Sequence, residues 1–374
     1  MDHRPPHPSH RQVGEPRLPL LAVPFALIAA VTVVDVLAPP DVHLGPFLVA
    51  APALTASFAG PRMTGFVGAV AVAAQVTVAV VRTTATDLNH TFQIIALVLI
   101  SIFVTLFAHL REVHEKQLTQ LRSVAEAAQE VVLRPLRDRM GPLRLASVYL
   151  AAEAEAQIGG DLYAATRTPH GTRLIVGDVR GKGLEAVGDA ALVLGAFRAA
   201  AHQEADLPTL VAYLEAAVAA DPDGADGADE PADDPGEAFT TAAVLDIPDR
   251  EMTVRLISCG HPPPLLLRGG RVIPLEVDHP APPLGLTRYV DTGFAPQSFS
   301  FEPGDMILLY TDGVIEARDA EGTFYPLPER AADWPGDGPD ALLRHLCADL
   351  LAHSPGGSLG DDAAMVAIER VTGA

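Results

Sequence analysis

The sequence predicts an α+β protein in three parts: an N-terminal bundle of four transmembrane helices, a linker helix, and a C-terminal domain of mainly antiparallel strands with two central helices. Three observations support this prediction. Residues 18–110 contain four apolar stretches and almost no charged side chains. Residues 111–135 are charged and rich in strong helix formers. After Pro142 the pattern changes to short runs typical of β-strands, separated by turn residues.

The overall charge argues against one class of partner. The chain has 374 residues and a formal net charge of −21, and nearly all of its charged side chains lie after residue 110. Nucleic-acid binding is not expected, because phosphates attract Lys and Arg rather than an acidic surface. The only two cysteines, Cys259 and Cys347, lack the spacing of metal ligands, so neither a zinc site nor a disulfide framework is indicated. A reducing cytosol is the expected setting of the soluble part.

The four apolar stretches are predicted to cross a membrane. The first, Leu18–Leu37, matches the ~20 residues that a helix needs to span a bilayer. The others run over residues 44–59, 65–81 and 92–109, and the second and third are short and rich in Gly and Ala. Any one stretch alone is also compatible with a buried helix of a globular protein, but the succession favours a bundle. A cleaved signal peptide fits poorly, because no A-x-A-like site is followed by soluble sequence.

The distribution of basic residues predicts the orientation of the bundle. Basic side chains are expected at the cytoplasmic ends of the spans. They are Arg4, Arg11, Arg17, Arg62, Arg111, Lys116 and Arg122. Because the other two loops carry only Arg82, the tail of residues 1–17, the chain's C-terminus and the acidic domain are all predicted to be cytoplasmic, with the protein in the cell (inner) membrane. Asp35 is either a proton or ligand site within the first span or an interfacial residue near the Pro39-Pro40 turn.

The linker helix over residues 111–135 has an apolar seam. Its members recur at alternating spacings of three and four residues, which is typical of a short coiled coil. They are Leu118, Leu121, Ala125, Ala128 and Val132. Pro135 is expected to end the helix. The seam either forms a homodimer that passes a signal from the membrane or packs on the chain's own domain, and both interpretations stay open.

The region after the linker is predicted to alternate between strands and helices. Strands are predicted over residues 147–150, 173–176, 240–246, 252–258 and 306–310, and a hairpin over 264–268 and 271–275. Gly269-Gly270 supports the hairpin, because a two-residue type I′ turn needs positive φ twice. Helices are predicted over residues 183–201, 207–219 and 341–352. Residues 221–237 are rich in Asp, Gly, Ala and Pro, which predicts a solvated loop.

Four acidic residues mark the candidate site, because each lies at the end of an apolar run. They are Asp161, Asp178, Asp312 and Asp361. Carboxylates without nearby His or Cys favour Mg²⁺ or Mn²⁺ over zinc. Two such ions sharing one carboxylate would activate a water for attack on a phosphoryl group. Each acid by itself is also compatible with a turn or helix cap.

The glycine-rich turn after Asp178 does not predict nucleotide binding. Gly177 and Gly181 are separated by three residues where a P-loop has four, and no Ser or Thr follows Lys182. The predicted role of this turn is therefore to present Asp178 and to let a ligand approach the backbone closely.

Six segments of the chain carry a family resemblance in their order. They are AQIGGDLY at 156–163, VGDVRGKGLEA at 176–186, SCGHPPP at 258–264, PLGL at 283–286, LYTDGVIE at 309–316 and DD at 361–362. The region from about Val124 to Ile368 resembles the SpoIIE-like bacterial branch of the metal-dependent protein phosphatases (PPM, or protein phosphatase 2C, superfamily). The four apolar stretches carry no comparable signature.

The resemblance implies a PPM-type α-β-β-α sandwich over residues 136–370, with the metals between the sheets. It also implies serine/threonine phosphatase activity on a protein, often an anti-anti-sigma (STAS) domain or a related partner-switching regulator. Its implied site has Asp178 and Asp161 as catalytic residues and two Mn²⁺ or Mg²⁺ ions held by Asp178, the Val179 carbonyl, Asp312, Asp361 and, directly or through water, Asp161. Asp362 replaces Asp361 if the register differs by one residue.

Three positions leave the chemistry open. Eukaryotic members of the superfamily have a His two residues after the bridging Asp, where this chain has Arg180, and many bacterial members have His in place of Lys182. Protonation of the leaving group is therefore unassigned. Arg180 and Lys182 either contact phosphate or are solvated turn residues, and His261 is either catalytic or structural.

The leading functional prediction is a membrane-anchored, metal-dependent protein phosphatase in a signalling pathway. The alternative is a membrane receptor whose phosphatase-like domain is a catalytically silent binding module. A small transporter with a regulatory tail is disfavoured, because the apolar stretches contain almost no polar residues that would line a substrate path.

Overall fold

A computed structural model describes residues 18–39, 44–81, 88–152, 159–203, 206–220, 239–287, 293–334, 336 and 338–371. The contacts divide the chain into two compact units, residues 1–119 and residues 120–374. The predicted solvated loop at residues 221–237 lies outside the described residues.

The N-terminal unit consists of apolar helices. They are α1 Leu18–Leu37, α2 Ala50–Phe58, α3 Pro61–Val81 and α4 Leu88–Val132. Among the described residues, three helical segments are long and apolar enough to cross a membrane: Leu20–Leu37, Pro61–Val81 and Thr91–Gln117. Asp35, near the end of α1, is buried.

The second predicted span differs from the sequence-based expectation. Gly45–Phe58 is an apolar helix too short for this class, and it consists of a 3-10 turn, Gly45–Val49, followed by the nine residues of α2. A nine-residue α-helix is about 14 Å long, whereas the hydrocarbon core of a bilayer is about 30 Å thick. Gly60 and Pro61 end this segment and begin α3, so hydropathy overestimated its length. The structure therefore has three helices of spanning length where four were predicted.

The fourth predicted span and the linker form one continuous helix. This helix, α4, has 45 residues and ends at Val132, shortly before Pro135 as expected. The seam side chains from Leu118 to Ala128 lie outside the described residues, so the coiled coil stays a prediction. At the end of α4, the Val132 carbonyl accepts a 2.9 Å hydrogen bond from Arg198.

The C-terminal unit contains two antiparallel sheets. The first has the strand order β1-β2-β11-β10-β7-β8 and the second β3-β4-β5-β6-β9. The strands are β1 Arg139–Met140, β2 Leu143–Leu150, β3 Gly160–Arg167, β4 Gly171–Val179, β5 Thr240–Pro248, β6 Thr253–Cys259, β7 Leu265–Arg268, β8 Arg271–Pro274, β9 Gln297–Ser300, β10 Met306–Tyr310 and β11 Ala363–Arg370. The helices are α5 Leu184–Ala200, α6 Leu207–Ala219, α7 Asp312–Ile315, α8 Leu327–Ala332 and α9 Pro339–His353.

The sheets and helices form the implied α-β-β-α sandwich. Helices α5 and α6 contact the second sheet, and α9 contacts strands β2 and β11 of the first. Strand β10 shows why its run of five apolar residues is buried on both faces. Ile307 and Leu309 join the larger core, which includes residues of both sheets, while Leu308 and Tyr310 join a smaller core that includes residues of α9. Successive side chains of a strand point to opposite faces, so one strand contributes to both cores.

Several predicted elements are present close to their expected bounds. Helix α6 has the predicted bounds, and α5 and α9 agree to within two residues at each end. The β7–β8 hairpin turns at Gly269 and Gly270, whose φ angles of 57° and 76° meet the requirement for positive φ. Strands β3, β9 and β11 were not predicted. Strand β11 has the sequence AAMVAIER and pairs with β2 and β10, so its strand conformation depends on its neighbours.

Candidate active site

The two sheets bring the predicted acidic residues to one pocket. In the second sheet, Asp161 of β3 and Asp178 of β4 are register partners, so their side chains lie on the same face. In the first sheet, Asp312 follows β10 and Asp361 lies just before β11, which pairs with β10. These four residues and Asp362 line a single pocket with a volume of about 330 Å³.

Asp161 is held by a residue whose role the sequence did not reveal. Its carboxylate, 3% exposed, accepts a 2.8 Å hydrogen bond from the Thr311 hydroxyl. The Thr311 oxygen in turn accepts a 2.9 Å hydrogen bond from the backbone N–H of Ala364. Thr311 therefore fixes Asp161, in one sheet, against β11 in the other. The signal for this role was its place directly before Asp312 in the LYTDG motif, but only the contact identifies the partner.

Burial and mutual repulsion raise the pKa values of the carboxyl groups in the pocket. Burial, and then the charge of Asp178, holds the pKa of Asp161 well above its usual range. Burial, followed by the charges of Asp312 and Asp361, raises the pKa of Asp178 to about 7. The pKa of Asp312 is also raised, by burial and then by Asp361. Close carboxylates in a partly desolvated pocket favour protons or a bound cation.

Asp361 and Asp362 have different environments, although they are adjacent in the sequence. Asp362 is buried, and its two carboxylate oxygens accept hydrogen bonds from backbone N–H groups, one from Ala152 at 2.6 Å and one from Gly159. The Asp361 side chain is 48% exposed and lies 3.3 Å from the Lys182 amine. Asp362 therefore stabilises the backbone, and Asp361 is the acid available to a ligand.

Two glycines let the backbone close tightly around Asp362. A Cβ atom at Gly313 would clash with the Asp362 carbonyl oxygen, and one at Gly159 would clash with the Asp362 carboxylate. The glycines of the GGD and TDG motifs thus allow the segments of Asp161 and Asp312 to approach the segment of Asp361.

Positive charge lies beside the acids, in the turn between β4 and α5. Arg180 stacks over the Phe239 ring at 5.4 Å, and Lys182 pairs with Asp361. Both basic residues are exposed and line the pocket, as does the buried Val179. The turn therefore combines a buried backbone segment with two cationic side chains.

The acidic side chains stand apart from one another. Among the described residues, no group of three or more His, Cys, Asp or Glu side chains is close enough to hold a metal ion as the side chains stand. Repulsion between carboxylates accounts for this separation, since each of three acids has a pKa raised by its neighbours. Oxygen donors of this kind suit Mg²⁺ or Mn²⁺, so the pocket fits such a cation in donor chemistry.

His261 does not line the pocket. Its side chain is 7% exposed, its Nδ1 is 3.0 Å from the Thr241 hydroxyl, and its Nε2 is 3.1 Å from the Tyr310 carbonyl oxygen. Burial lowers the pKa of this imidazole to about 4, so it is neutral at physiological pH. These contacts favour the structural interpretation of His261 over the catalytic one.

The family comparison agrees with the fold and the placement of the acids. The family model for Stage II sporulation protein E (SpoIIE) matches residues 168–371, more than half of the chain. The chain belongs to the SpoIIE family. Its C-terminal unit is accordingly a PP2C-type phosphatase domain. The matched region of this SpoIIE-family chain includes Asp178, Asp312 and Asp361 and begins after Asp161.

Solved structures show the same fold. The SiaA-PP2C domain of Pseudomonas aeruginosa is 16% identical with a TM-score of 0.54, and the match covers 69% of this SpoIIE-family chain and 98% of that domain. The RsbU and RsbW domains of a Mycobacterium tuberculosis protein are 26% identical with a TM-score of 0.46, covering 62% and 61%. The PP2C phosphatase domain of SpoIIE from Bacillus subtilis, with a fragment of its regulatory domain, is 14% identical with a TM-score of 0.47, covering 61% and 63%. The chain thus spans about three fifths of the latter two structures.

Proposed function

We propose that this protein is a membrane-anchored, metal-dependent phosphatase that hydrolyses phosphoserine or phosphothreonine on a regulatory protein. The observation that carries the proposal is the convergence of Asp161, Asp178, Asp312 and Asp361 on one pocket of a PP2C-type domain. A pKa of about 7 for Asp178 supports it, because a group of repelling carboxylates is suited to binding cations.

Two Mn²⁺ or Mg²⁺ ions are proposed as the cofactors. Asp178 would be shared between them, the Val179 carbonyl would complete one site, Asp312 and Asp361 the other, and Asp161 would act directly or through water. When bound, the ions supply Lewis-acid activation of a water and neutralise phosphate charge. The hydrogen bond from Thr311 supports the role of Asp161, since it fixes this carboxylate before any ligand arrives.

The basic residues of the pocket would bind the phosphate. Lys182 is proposed to leave Asp361 and contact a phosphate oxygen, while Arg180 stays stacked on Phe239 at the pocket. The described residues that line the pocket include no His. The leaving group would therefore take its proton from water rather than from an imidazole.

The proposed substrate is a phosphorylated partner-switching regulator of the STAS type. Support for this substrate class comes from the resemblance of the six sequence segments to the SpoIIE-like phosphatases. The pocket is small and open to the surface, which suits a phosphorylated side chain presented by a protein.

The membrane region is proposed to anchor the domain in the inner membrane, with both termini in the cytoplasm. Three described helices have the length and hydropathy of membrane spans. The basic residues that flank α1 and α4 support the orientation. The continuity of α4 with the linker is compatible with a homodimer that transmits a signal from the membrane.

A silent binding module is the second candidate function. The ion pair between Lys182 and Asp361 favours it, because the lysine already neutralises one proposed metal ligand. In that case the pocket would bind a partner without hydrolysing phosphate.

Hydrolysis by the full chain in detergent separates the two candidates. With Mn²⁺ and either p-nitrophenyl phosphate or a phosphoserine peptide, the wild-type chain is expected to turn over, and Asp178→Asn and Asp312→Asn to lose orders of magnitude in rate. Asp278→Asn is the matched control, since it removes the same charge from an exposed surface position. Absence of Mn²⁺-dependent turnover in the wild type supports the binding module, and wild-type rates in both variants would refute the site assignment.

A further inference from the structure

The buried side chain of His261 connects the two sheets of the domain. Thr241, which contacts its Nδ1, belongs to β5 of the second sheet, and Tyr310, whose carbonyl contacts its Nε2, ends β10 of the first. A carbonyl oxygen can only accept a hydrogen bond, so Nε2 carries the proton and Nδ1 accepts from the Thr241 hydroxyl. Both ring nitrogens are therefore satisfied by one neutral tautomer.

The two ends of this bridge are adjacent to the acids of the pocket. Thr241 is the register partner of Asp178 across β4 and β5. Tyr310 directly precedes Thr311, which holds Asp161, and lies two residues before Asp312. Apolar contacts between sheets are not directional, whereas a hydrogen-bonded bridge sets a distance. The imidazole therefore joins the backbone positions from which the acids project.

The main chain around His261 is itself fixed. The Ser258 hydroxyl donates a 3.2 Å hydrogen bond to the His261 carbonyl oxygen. Gly260 has a φ of 68° and lies against Pro283, so that a Cβ atom there would come within 2.8 Å of the proline ring. Leu284 exchanges backbone hydrogen bonds of 2.9 and 3.0 Å with Thr240. The SCGHPPP and PLGL segments thus share one task, which is to hold the imidazole between the sheets.

We infer that His261 is a positioning residue that sets the separation of Asp178 from Asp312, and through it the affinity of the pocket for divalent cations. This inference rests on the proposed function for its readout, because it concerns the proposed metal ligands. It assigns His261 no contact with substrate. Its neutral state fits this role, since an uncharged ring adds no repulsion or attraction to the cluster.

The test measures Mn²⁺ binding by calorimetry with the full chain in detergent. His261→Leu removes both hydrogen bonds and is expected to weaken Mn²⁺ binding by about tenfold or more, as loss of partners outside the coordination sphere commonly does. His261→Gln is expected to recover most of the affinity, because its amide retains a donor that reaches toward the Tyr310 carbonyl. Thr241→Val removes one hydrogen bond only and is expected to have an intermediate effect.

Ser258→Ala is the matched control. It alters the same loop and the same histidine, but it leaves the bridge between the sheets in place. Its Mn²⁺ affinity is expected to stay within about twofold of the wild type. Urea unfolding, followed by the fluorescence of the single tryptophan, Trp334, establishes in each case that the domain is folded.

The outcomes distinguish the two proposals. If the wild type binds Mn²⁺ and folded His261→Leu binds it equally well, the positioning role is wrong while the proposed function stands. If the wild type itself takes up no Mn²⁺, the proposed function fails as well. Should His261→Leu not fold, Thr241→Val and His261→Gln decide the matter, because wild-type affinity in Thr241→Val together with weak binding in His261→Gln contradicts a bridge that requires both partners.

Discussion

Replacing Asp178 with Asn is expected to stabilise the metal-free protein while removing its response to metal. The substitution keeps the size of the side chain and removes its charge. In the folded protein, burial and the neighbouring acids raise the pKa of Asp178 from 3.8 to about 7. The ionised carboxylate is therefore less stable in the folded chain than in the unfolded one, and an amide does not carry this penalty.

The sign and size of the effect follow from that shift. Because the folded-state pKa is above the unfolded value, the folded state binds more protons between pH 3.8 and about 7, and stability falls as the pH rises through that window. At about 1.4 kcal/mol per pKa unit, the upper limit at pH 8 is about 4 kcal/mol. Asp178 is partly exposed, so solvent reduces this to about 1–3 kcal/mol in favour of Asp178→Asn. The difference is expected to fall below half of that value at pH 5.

Urea unfolding of the full chain in detergent measures this effect. The fluorescence of Trp334, the single tryptophan, reports on the phosphatase domain, because this residue packs against the smaller core. In EDTA at pH 8, Asp178→Asn is expected to unfold at higher urea than the wild type, and Asp278→Asn at the same urea concentration. Mn²⁺ at 100 times its dissociation constant is expected to stabilise the wild type by about 2.7 kcal/mol and to leave Asp178→Asn unchanged.

Two results would refute the reasoning. One is a lower stability of Asp178→Asn than of the wild type in EDTA at pH 8, because the carboxylate would then contribute favourable contacts that outweigh its repulsion. The other is equal stabilisation of both proteins by Mn²⁺, because the ion would then bind without Asp178.

Three further predictions concern neighbouring contacts. Asp362→Ala is expected to destabilise the domain by about 2–4 kcal/mol in urea unfolding, because it leaves two buried N–H groups unpaired, whereas Asp361→Ala should change stability little and weaken Mn²⁺ binding; equal losses of stability would contradict this division. Thr311→Val is expected to slow hydrolysis at least about tenfold by releasing Asp161, with recovery in Thr311→Ser, and wild-type turnover in the valine variant would count against the contact. Lys182→Gln is expected to tighten Mn²⁺ binding in calorimetry, since it frees Asp361, and to raise the KM for a phosphopeptide; unchanged values for both would show that the lysine is only solvated.

Much of the fold was accessible from sequence, because its signals were local. The buried strands β4 and β10 are continuous apolar runs, each leading into an Asp, and α5, α6 and α9 follow from helical periodicity. Strands β3 and β11 were missed because their alanines carry little strand preference. They become strands by pairing with neighbours that are distant in sequence.

The sequence alone determined the acidic, metal-oriented character of the site and the identity of the acids Asp161, Asp178 and Asp312, because those depend on residue type next to a strand. Only the tertiary structure decided between Asp361 and Asp362 and revealed the roles of Thr311 and His261. The physical reason is that a hydrogen-bond partner is set by geometry between segments: the amides of Ala152 and Gly159 engage one of two adjacent carboxylates and leave the other at the pocket. Composition does not encode which of two neighbouring side chains points inward.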